Sequence, residues 1–389
     1  MSYDKISLKL HKKLSGKISI SPKVNITDIK DLSIFYTPGI AAVSKEIAKS
    51  TCRVWDYTAR KNLVAVVTDG SAVLGLGNIG PEAAHPVMAG KALLFKEFAD
   101  IDAFPICLDS QNTKDIIKTC KLIAPSFGGI NLEDISAPRC FEIESALQNI
   151  GIPVMHDDQH GTAVVVLAGL INATKVVNKK LENCKIIVNG PGAAGTAIAL
   201  AIAKFTKNRA RIIALDEHGV VCTKEDKNKR KICQAVSKKN VFSKLDVAIK
   251  GADIFIGVSV GNILSKENVE SMSKDPIVFA MANPIPEIDP RVARSAGVAI
   301  IATGRSDYPN QVNNVLAFPG IFRGALDANA TKITSEMLLV ASLALAKCVK
   351  NPTGTKILPG ALEKSVVTKI ATAVKIQAKK QGVSRPKCI

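Results

Sequence analysis

The stretch Ile186-Ile187-Val188-Asn189-Gly190-Pro191-Gly192-Ala193-Ala194-Gly195 decides how the chain is read. Lys185 to Asn189 has the short apolar character of a buried parallel strand, and three glycines follow it at the GxGxxG spacing. A tight turn, a close approach of backbone to a pyrophosphate, and close packing of the next helix each call for a residue without a side chain. The helix opening at Ala193 and Ala194 aims its free N–H groups and positive dipole end at the same place. Asp216 lies 21 residues beyond Gly195, at the end of the next apolar strand, where an acid can take a ribose hydroxyl. Gly190, Gly192, Ala193, Ala194, Gly195 and Asp216 are therefore the candidate dinucleotide site. A purely structural glycine turn is the alternative.

Working outward, strands are expected at Arg211–Asp216, Ile254–Val258, Ile277–Met281 and Val298–Thr303, with helical stretches between most of them. That is the rhythm of a doubly wound sheet. Two amphipathic helices, Thr334–Val349 and Leu362–Gln377, close the chain. On the N-terminal side a helix is expected over Thr162–Asn178 and strands over Leu63–Thr68, Ala103–Leu108 and Ile152–Met155. Pro105 marks the second of these as a sheet edge, and Pro86 is a natural first residue for a helix running to Ala99. The opening is helix-like, and Ile26–Ile34 fits no pattern. The expected class is α/β, with an N-terminal α/β substrate and catalytic domain over residues 1–160. A doubly wound Rossmann-type dinucleotide-binding domain with C-terminal helices follows over 161–389.

Composition supports two folded domains, since 389 residues with 47% hydrophobic and 22% charged side chains can fill two cores. The longest apolar runs, Ala163–Ala173 and Met337–Ala346, are too short to span a bilayer. No basic-then-apolar leader opens the sequence, so a soluble cytoplasmic protein is expected. Nine cysteines without a CxxC pair read as reduced thiols. The net charge of +18 sits in lysine clusters at Lys12-Lys13, Lys224–Lys231, Lys238-Lys239 and from Lys379 onward. With four tyrosines and one tryptophan there are few platforms for stacked bases. The excess reads as a solvated surface or as anion steering, with no nucleic-acid partner and no membrane.

Chemistry concentrates at the seam between the halves, Met155-His156-Asp157-Asp158-Gln159-His160-Gly161-Thr162. The paired acids Glu133-Asp134 and Asp157-Asp158 suit a hard divalent ion such as magnesium or manganese, although acidic pairs also cap helices and line solvated turns. Lys91 shares a helical stripe with Val87 and Leu94. The pattern alone favours a side chain that snorkels to the surface. A desolvated lysine beside a cation would instead have a lowered pKa and serve as a base. His156 and His160 complete no zinc set and read as supporting residues. Gly75-Leu76-Gly77-Asn78-Ile79-Gly80 reads as a glycine-rich loop near a ligand, because no acid follows it at the right place.

Eight segments stand in the order shown by malic enzymes, and the chain resembles the short bacterial and archaeal form of that family. They are Phe35-Tyr36-Thr37-Pro38-Gly39, Thr68-Asp69-Gly70, Leu74-Gly75-Leu76-Gly77, Gly90-Lys91, Leu132-Glu133-Asp134, Asp157 to Thr162, Ala282-Asn283-Pro284 and Asn313 to Gly320. The resemblance implies oxidative decarboxylation of (S)-malate to pyruvate and carbon dioxide with reduction of a nicotinamide dinucleotide. It also implies Lys91 as general base and Tyr36 as general acid, with Glu133, Asp134 and Asp158 binding Mg2+ or Mn2+. Asn283 and Asn314 would contact malate, Asn283 lying also against the cofactor. Asp157 would support the metal shell or the lysine. Larger members carry an arginine where this chain has Ser71-Ala72, so a basic residue from elsewhere, such as a partner subunit, must grip the substrate carboxylate. Asp216-Glu217 would repel a ribose phosphate and favour NAD, while the nearby lysines keep NADP open. The family implies a homodimer in which the N-terminal segment could be exchanged. A redox-neutral malolactic or oxaloacetate decarboxylase is the alternative enzyme, and a nucleic-acid-binding protein on a dehydrogenase fold the remote one.

Overall fold

The computed structural model describes residues 3–73, 75–221, 231–237 and 244–386. It opens with an arm of three helices, α1 (Tyr3–Leu14), α2 (Ile29–Phe35) and α3 (Ile40–Lys49), none of which buries a residue. The segment without a readable pattern, Ile26–Ile34, thus contains most of α2. Its start is fixed by Asp28, whose carboxylate accepts from the Asp31 N–H at 2.7 Å. Tyr3, Leu8, Leu14, Ile29, Phe35 and Ile40 are exposed along the arm. A short helix, α4 (Val54–Tyr57), leads into the first sheet.

β1 (Leu63–Thr68) is buried from Val64 onward, as a central parallel strand must be. It pairs in parallel with β2 (Asp102–Cys107) on one side and with β3 (Gly129–Leu132) on the other. β3 pairs in turn with β4 (Val154–His156), giving the order β2-β1-β3-β4. Pro105 does lie on an edge strand, where its missing N–H leaves no ladder bond open. The linking helices are α5 (Gly80–Ala99), α6 (Thr113–Ile123) and α7 (Arg139–Leu147). α5 starts ahead of the expected Pro86: Pro81 fills the first turn, where a missing N–H costs nothing, and Pro86 is carried inside the helix.

α8 (Asp157–Val176) leaves β4 directly, earlier than the expected Thr162, so that Asp157 and Asp158 form its first turn against the positive end of the helix dipole. It leads to a second sheet, in which β5 (Ile186–Asn189) is followed by α9 (Ala193–Thr206) and β6 (Ile212–Asp216). β7 (Gly219–Val220) turns back antiparallel on β6, a hairpin the sequence reading did not include. After α10 (Leu245–Ala248) come β8 (Ile254–Gly257), α11 (Lys266–Glu270), β9 (Ile277–Ala280), α12 (Pro290–Ser295) and β10 (Ile300–Thr303). Apart from β7 this sheet is parallel, in the order β10-β9-β8-β5-β6-β7. Succession reverses between β5 and β8, and that reversal opens a crevice at the strands' carboxyl ends. α13 (Phe318–Asp327), α14 (Ser335–Ala346) and α15 (Ser365–Lys380) complete the chain.

One apolar cluster joins the sheets, running from Val64, Met88 and Phe95 through the length of α8 to Phe318 and Phe322. Phe95 meets both of those phenylalanines edge-on, at 4.7 and 5.3 Å between centroids, each pair adding about 1 kcal/mol beyond its buried area. The end of the chain returns to its beginning. Arg385 lies 3.5 Å over the ring of Trp55, which Arg60 also covers at 4.1 Å, and it donates to the Gly151 carbonyl. Against the expectation of reduced thiols throughout, Cys52 and Cys233 each take part in a disulfide, while Cys107, Cys120, Cys140, Cys184 and Cys348 are free. Of the basic clusters, Lys224 to Arg230 and Lys238-Lys239 fall outside the described residues. Among the described residues no helix is long and apolar enough to cross a membrane.

Candidate active site

The exits of β1 and β3 are tied together before any functional group is placed. Asp69 is fully buried; its Oδ1 accepts from the Ser71 N–H and hydroxyl, and its Oδ2 pairs with Arg139 at 2.7 Å. The same guanidinium donates to the Gln111 carbonyl and to the Ser71 and Ser136 hydroxyl oxygens. With four of its five donors spent on the protein, Arg139 braces the loops. The Ser136 N–H donates to Ser71 Oγ and the Ala72 N–H to the Asp134 carbonyl. Ser71-Ala72 therefore serves as the joint between two loops.

That joint presents Glu133 and Asp134. Glu133 Oε2 accepts from Asn131 Nδ2 at 2.8 Å, and Asp134 takes a left-handed backbone, φ 53°. Its N–H donates to Asp158 Oδ2 at 2.8 Å. Carboxylate oxygens of Glu133, Asp134 and Asp158 lie within 4.8 Å of one another. Lys91 comes in from α5, with Nζ 2.5 Å from Asp157 Oδ2, 2.9 Å from Glu133 Oε1 and 4.2 Å from the centre of the Phe318 ring. Its side chain is only 10% exposed. The snorkelling reading is thus corrected, because α13 closes over the stripe and leaves the amine only acids to meet. Asp157 Oδ2 also accepts from Asn314 Nδ2 at 3.2 Å, and Asn314 Oδ1 from the Thr162 hydroxyl at 3.0 Å. Asp157 lies back along its own helix over Gly161, where a Cβ would fall 1.9 Å from Oδ1.

The electrostatics follow from this crowding. Burial pushes the Lys91 pKa down, but the Asp157 and Glu133 carboxylates outweigh it and hold the amine above the ordinary lysine value. The sequence-based expectation of a lowered value concerns a lysine beside a bound cation, whose charge would oppose that of the two acids. Burial raises Glu133 well above the usual carboxylate range; Lys91 opposes it, while Asp158, Asp157 and Asp134 add to it. Asp157 is raised by burial too, against the pull of Lys91. Four carboxylates around one ammonium lack positive charge, and an all-oxygen donor set fits magnesium or manganese rather than zinc. The histidines support the centre. Glu144 accepts from the His156 N–H at 3.0 Å and pairs with His160 at 2.9 Å. Burial alone would raise Glu144, yet those contacts bring it to about 2. His156 Nδ1 lies 3.6 Å from Asp158 Oδ2.

The glycine turn meets its geometric demands. Gly190 has φ 105°, and a Cβ there would lie 2.7 Å from the Val258 carbonyl; at Gly195 it would lie 1.9 Å from that of Gly190. Gly192 caps α9, placing Ala193 and Ala194 in its first turn, and β6 delivers Asp216, whose Oδ1 accepts from the His218 N–H. The stretch around Gly75 is a turn entering α5, and a Cβ on Gly75 would come within 3.2 Å of the Asn283 carbonyl. The loop of one sheet thus abuts the β9 exit of the other. Tyr36 does not join this assembly: it caps α2 on the unburied arm and is 67% exposed. Sequence reasoning missed the Arg139–Asp69 brace, whose partners are 70 residues apart with no local pattern joining them.

Residues 15–118 match the family described as "Malic enzyme, N-terminal domain" and residues 159–379 the one described as "Malic enzyme, NAD binding domain". The chain is 53% identical over 379 residues to the NAD-dependent malic enzyme of Geobacillus stearothermophilus, covering 96% of this chain and 78% of that protein. It is 49% identical over 392 residues to the bifunctional malic/malolactic enzyme of Bacillus subtilis, covering 99% and 95%. The crystal structure of malic enzyme from Pyrococcus horikoshii superposes with a TM-score of 0.95 at 44% identity, covering 100% of this chain and 93% of that one. Two matched domains and relatives of this closeness along nearly the whole length establish that the chain belongs to the malic enzyme family.

Proposed function

We propose that the chain catalyses the metal-dependent oxidative decarboxylation of (S)-malate to pyruvate and carbon dioxide, with NAD as the preferred acceptor and NADP as the second option. The observation that carries this reading is the Lys91 ammonium, enclosed by Glu133 and Asp157 beside three convergent carboxylates. Glu133, Asp134 and Asp158 would hold a magnesium or manganese ion, and Gly190, Gly192, Ala193, Ala194, Gly195 and Asp216 the dinucleotide. The chemistry that these groups would supply is acceptance of the C2 hydride by the dinucleotide and polarisation of the C2 oxygen by the ion. Lys91 first gives a proton to Asp157, 2.5 Å away with a pKa raised by burial, and the neutral amine then takes the C2 hydroxyl proton. Asn314, fixed by Asp157 and Thr162, and Asn283 offer amides to malate. Tyr36 returns a proton to C3 after carbon dioxide leaves.

Tyr36 reaches the site from a second subunit. An arm that exposes its apolar residues and buries none in its own chain has the character of a segment that docks on another copy. The active unit is then a homodimer with exchanged arms, and the same exchange supplies the basic residue that the substrate carboxylate needs beside Ser71-Ala72. The preference for NAD rests on the acids Asp216 and Glu217 and on the name of the Geobacillus relative.

A steady-state assay with malate and manganese, run in parallel with NAD and NADP, tests the reading. Reduced cofactor and pyruvate should appear one to one and vanish with a chelator. If malate is consumed to lactate while the cofactor stays oxidised, the redox-neutral reading holds instead, which the name of the Bacillus relative keeps open. No turnover with either cofactor would defeat both.

A further inference from the structure

β8 and β9 end side by side, and between their exit loops stands Glu287, fully buried. No lysine, arginine or histidine among the described residues pairs with it; backbone N–H groups hold it instead. Its Oε1 accepts from Ser259 N at 3.2 Å and its Oε2 from Ala282 N at 3.0 Å. Room for it is made at the end of β8, where a Cβ on Gly257 would come within 2.3 Å of the Glu287 carboxyl carbon. Ser259 Oγ accepts from Asn189 Nδ2 at 2.7 Å, which extends the tie to β5 and the Gly190 turn. On the other side Ala282 precedes Asn283, whose carbonyl abuts the Gly75 loop. Backbone bonds from Asn262 to Pro286 and from Leu264 to Glu287 close the unit.

A buried carboxylate without a counter-charge is costly, and an apolar side chain could fill the same space more cheaply. What such a side chain could not do is accept from two strand exits at once. In a doubly wound sheet the adenine half of the dinucleotide lies on the side of the first acid, here Asp216, and the nicotinamide half over the strands beyond the reversal, here β8 and β9. We propose that Glu287 is a positioning residue of the cofactor site: by joining the β8 and β9 exits it fixes the floor under the nicotinamide half and the placement of Asn283. The proposal rests on the reading of Gly190–Gly195 as a dinucleotide site.

The test is Glu287→Gln in the full chain loaded with manganese. Glutamine is nearly isosteric but sets an NH2 group against one of the two backbone N–H donors. NADH and NADPH affinities are measured by fluorescence titration without malate, manganese affinity by calorimetry, and KM and kcat by steady-state rates. The expected result is a loss of dinucleotide affinity of about tenfold or more and a raised KM for malate. Manganese affinity should stay within about twofold while dinucleotide affinity falls, a split that general destabilisation would not give. Gly257→Ala, which drives a methyl group into the carboxylate, should reproduce the pattern. Unchanged NADH affinity in Glu287→Gln overturns the proposal, as does a parallel loss of manganese and dinucleotide binding. If the unaltered chain binds neither NADH nor NADPH, the dinucleotide reading itself fails and the proposal falls with it.

Discussion

Lys91 shows how much of a site one residue can hide from its sequence. A lysine on an apolar stripe reads as a surface residue because its long stem can carry the charge to water; only the packing of α13 across α5 removes that route. The pairs Glu133-Asp134 and Asp157-Asp158 stand out as adjacent acids at the ends of apolar elements, and only the family resemblance singles out Glu133, Asp134 and Asp158 among them. Arg139 and Glu287 do not stand out, because a single charged residue in an ordinary helix or loop carries no mark of a partner far along the chain. The proposed division of labour is testable at this scale. Lys91→Ala should lower the rate of hydride transfer by about 10²- to 10⁴-fold. Tyr36→Phe should spare hydride transfer while slowing formation of pyruvate, so rapid-quench sampling should find reduced cofactor ahead of pyruvate. Equal loss of both steps in Tyr36→Phe would count against the assignment.

α8 is the element on which the site depends. Its first turn carries Asp157 and Asp158 and its remaining turns are almost wholly buried, so the two acids are mounted on a rod anchored in the core. Gly161 is one turn along, and alanine there would gain about 1 kcal/mol of helix propensity. It would also set a methyl group against Asp157 Oδ1 and push that carboxylate off Lys91. Gly161→Ala is therefore expected to cost at least about tenfold in kcat while the thermal midpoint moves by only a few degrees; unchanged kcat would show that the Asp157–Lys91 contact is dispensable. Strands of the second sheet were legible as apolar runs near their observed places. Helix starts were less so. Pro81 and Pro86 are equal as signals, and the start of α5 at the first goes with a contact the sequence does not show, the Ile79 and Gly80 N–H groups donating to the Gly70 carbonyl.

At the scale of the molecule, the second sheet and the crevice follow from the alternation of apolar runs and helices, whereas β3 of the first sheet, which the sequence reading did not include, and most of the arm do not. The arm's helices lack a face buried within the chain, and of the three only α1 is expected from the sequence, as a helix-like opening. If arms are exchanged, a mixed dimer of Tyr36→Phe and Lys91→Ala chains holds one intact site, pairing Lys91 of the first chain with Tyr36 of the second. Refolding the two inactive variants together should then restore roughly a quarter of full activity, as expected for random pairing in a symmetric dimer. A site built within one chain would recover none. The return of the chain's end to its beginning has a different consequence. Trp55 is the protein's one indole, and it lies under guanidinium groups from positions 60 and 385. Lifting the tail would remove one of them and let water reach the ring, so the molecule carries its own fluorophore at that junction. The colour of its ultraviolet emission reports, without any attached label, whether Arg385 is docked.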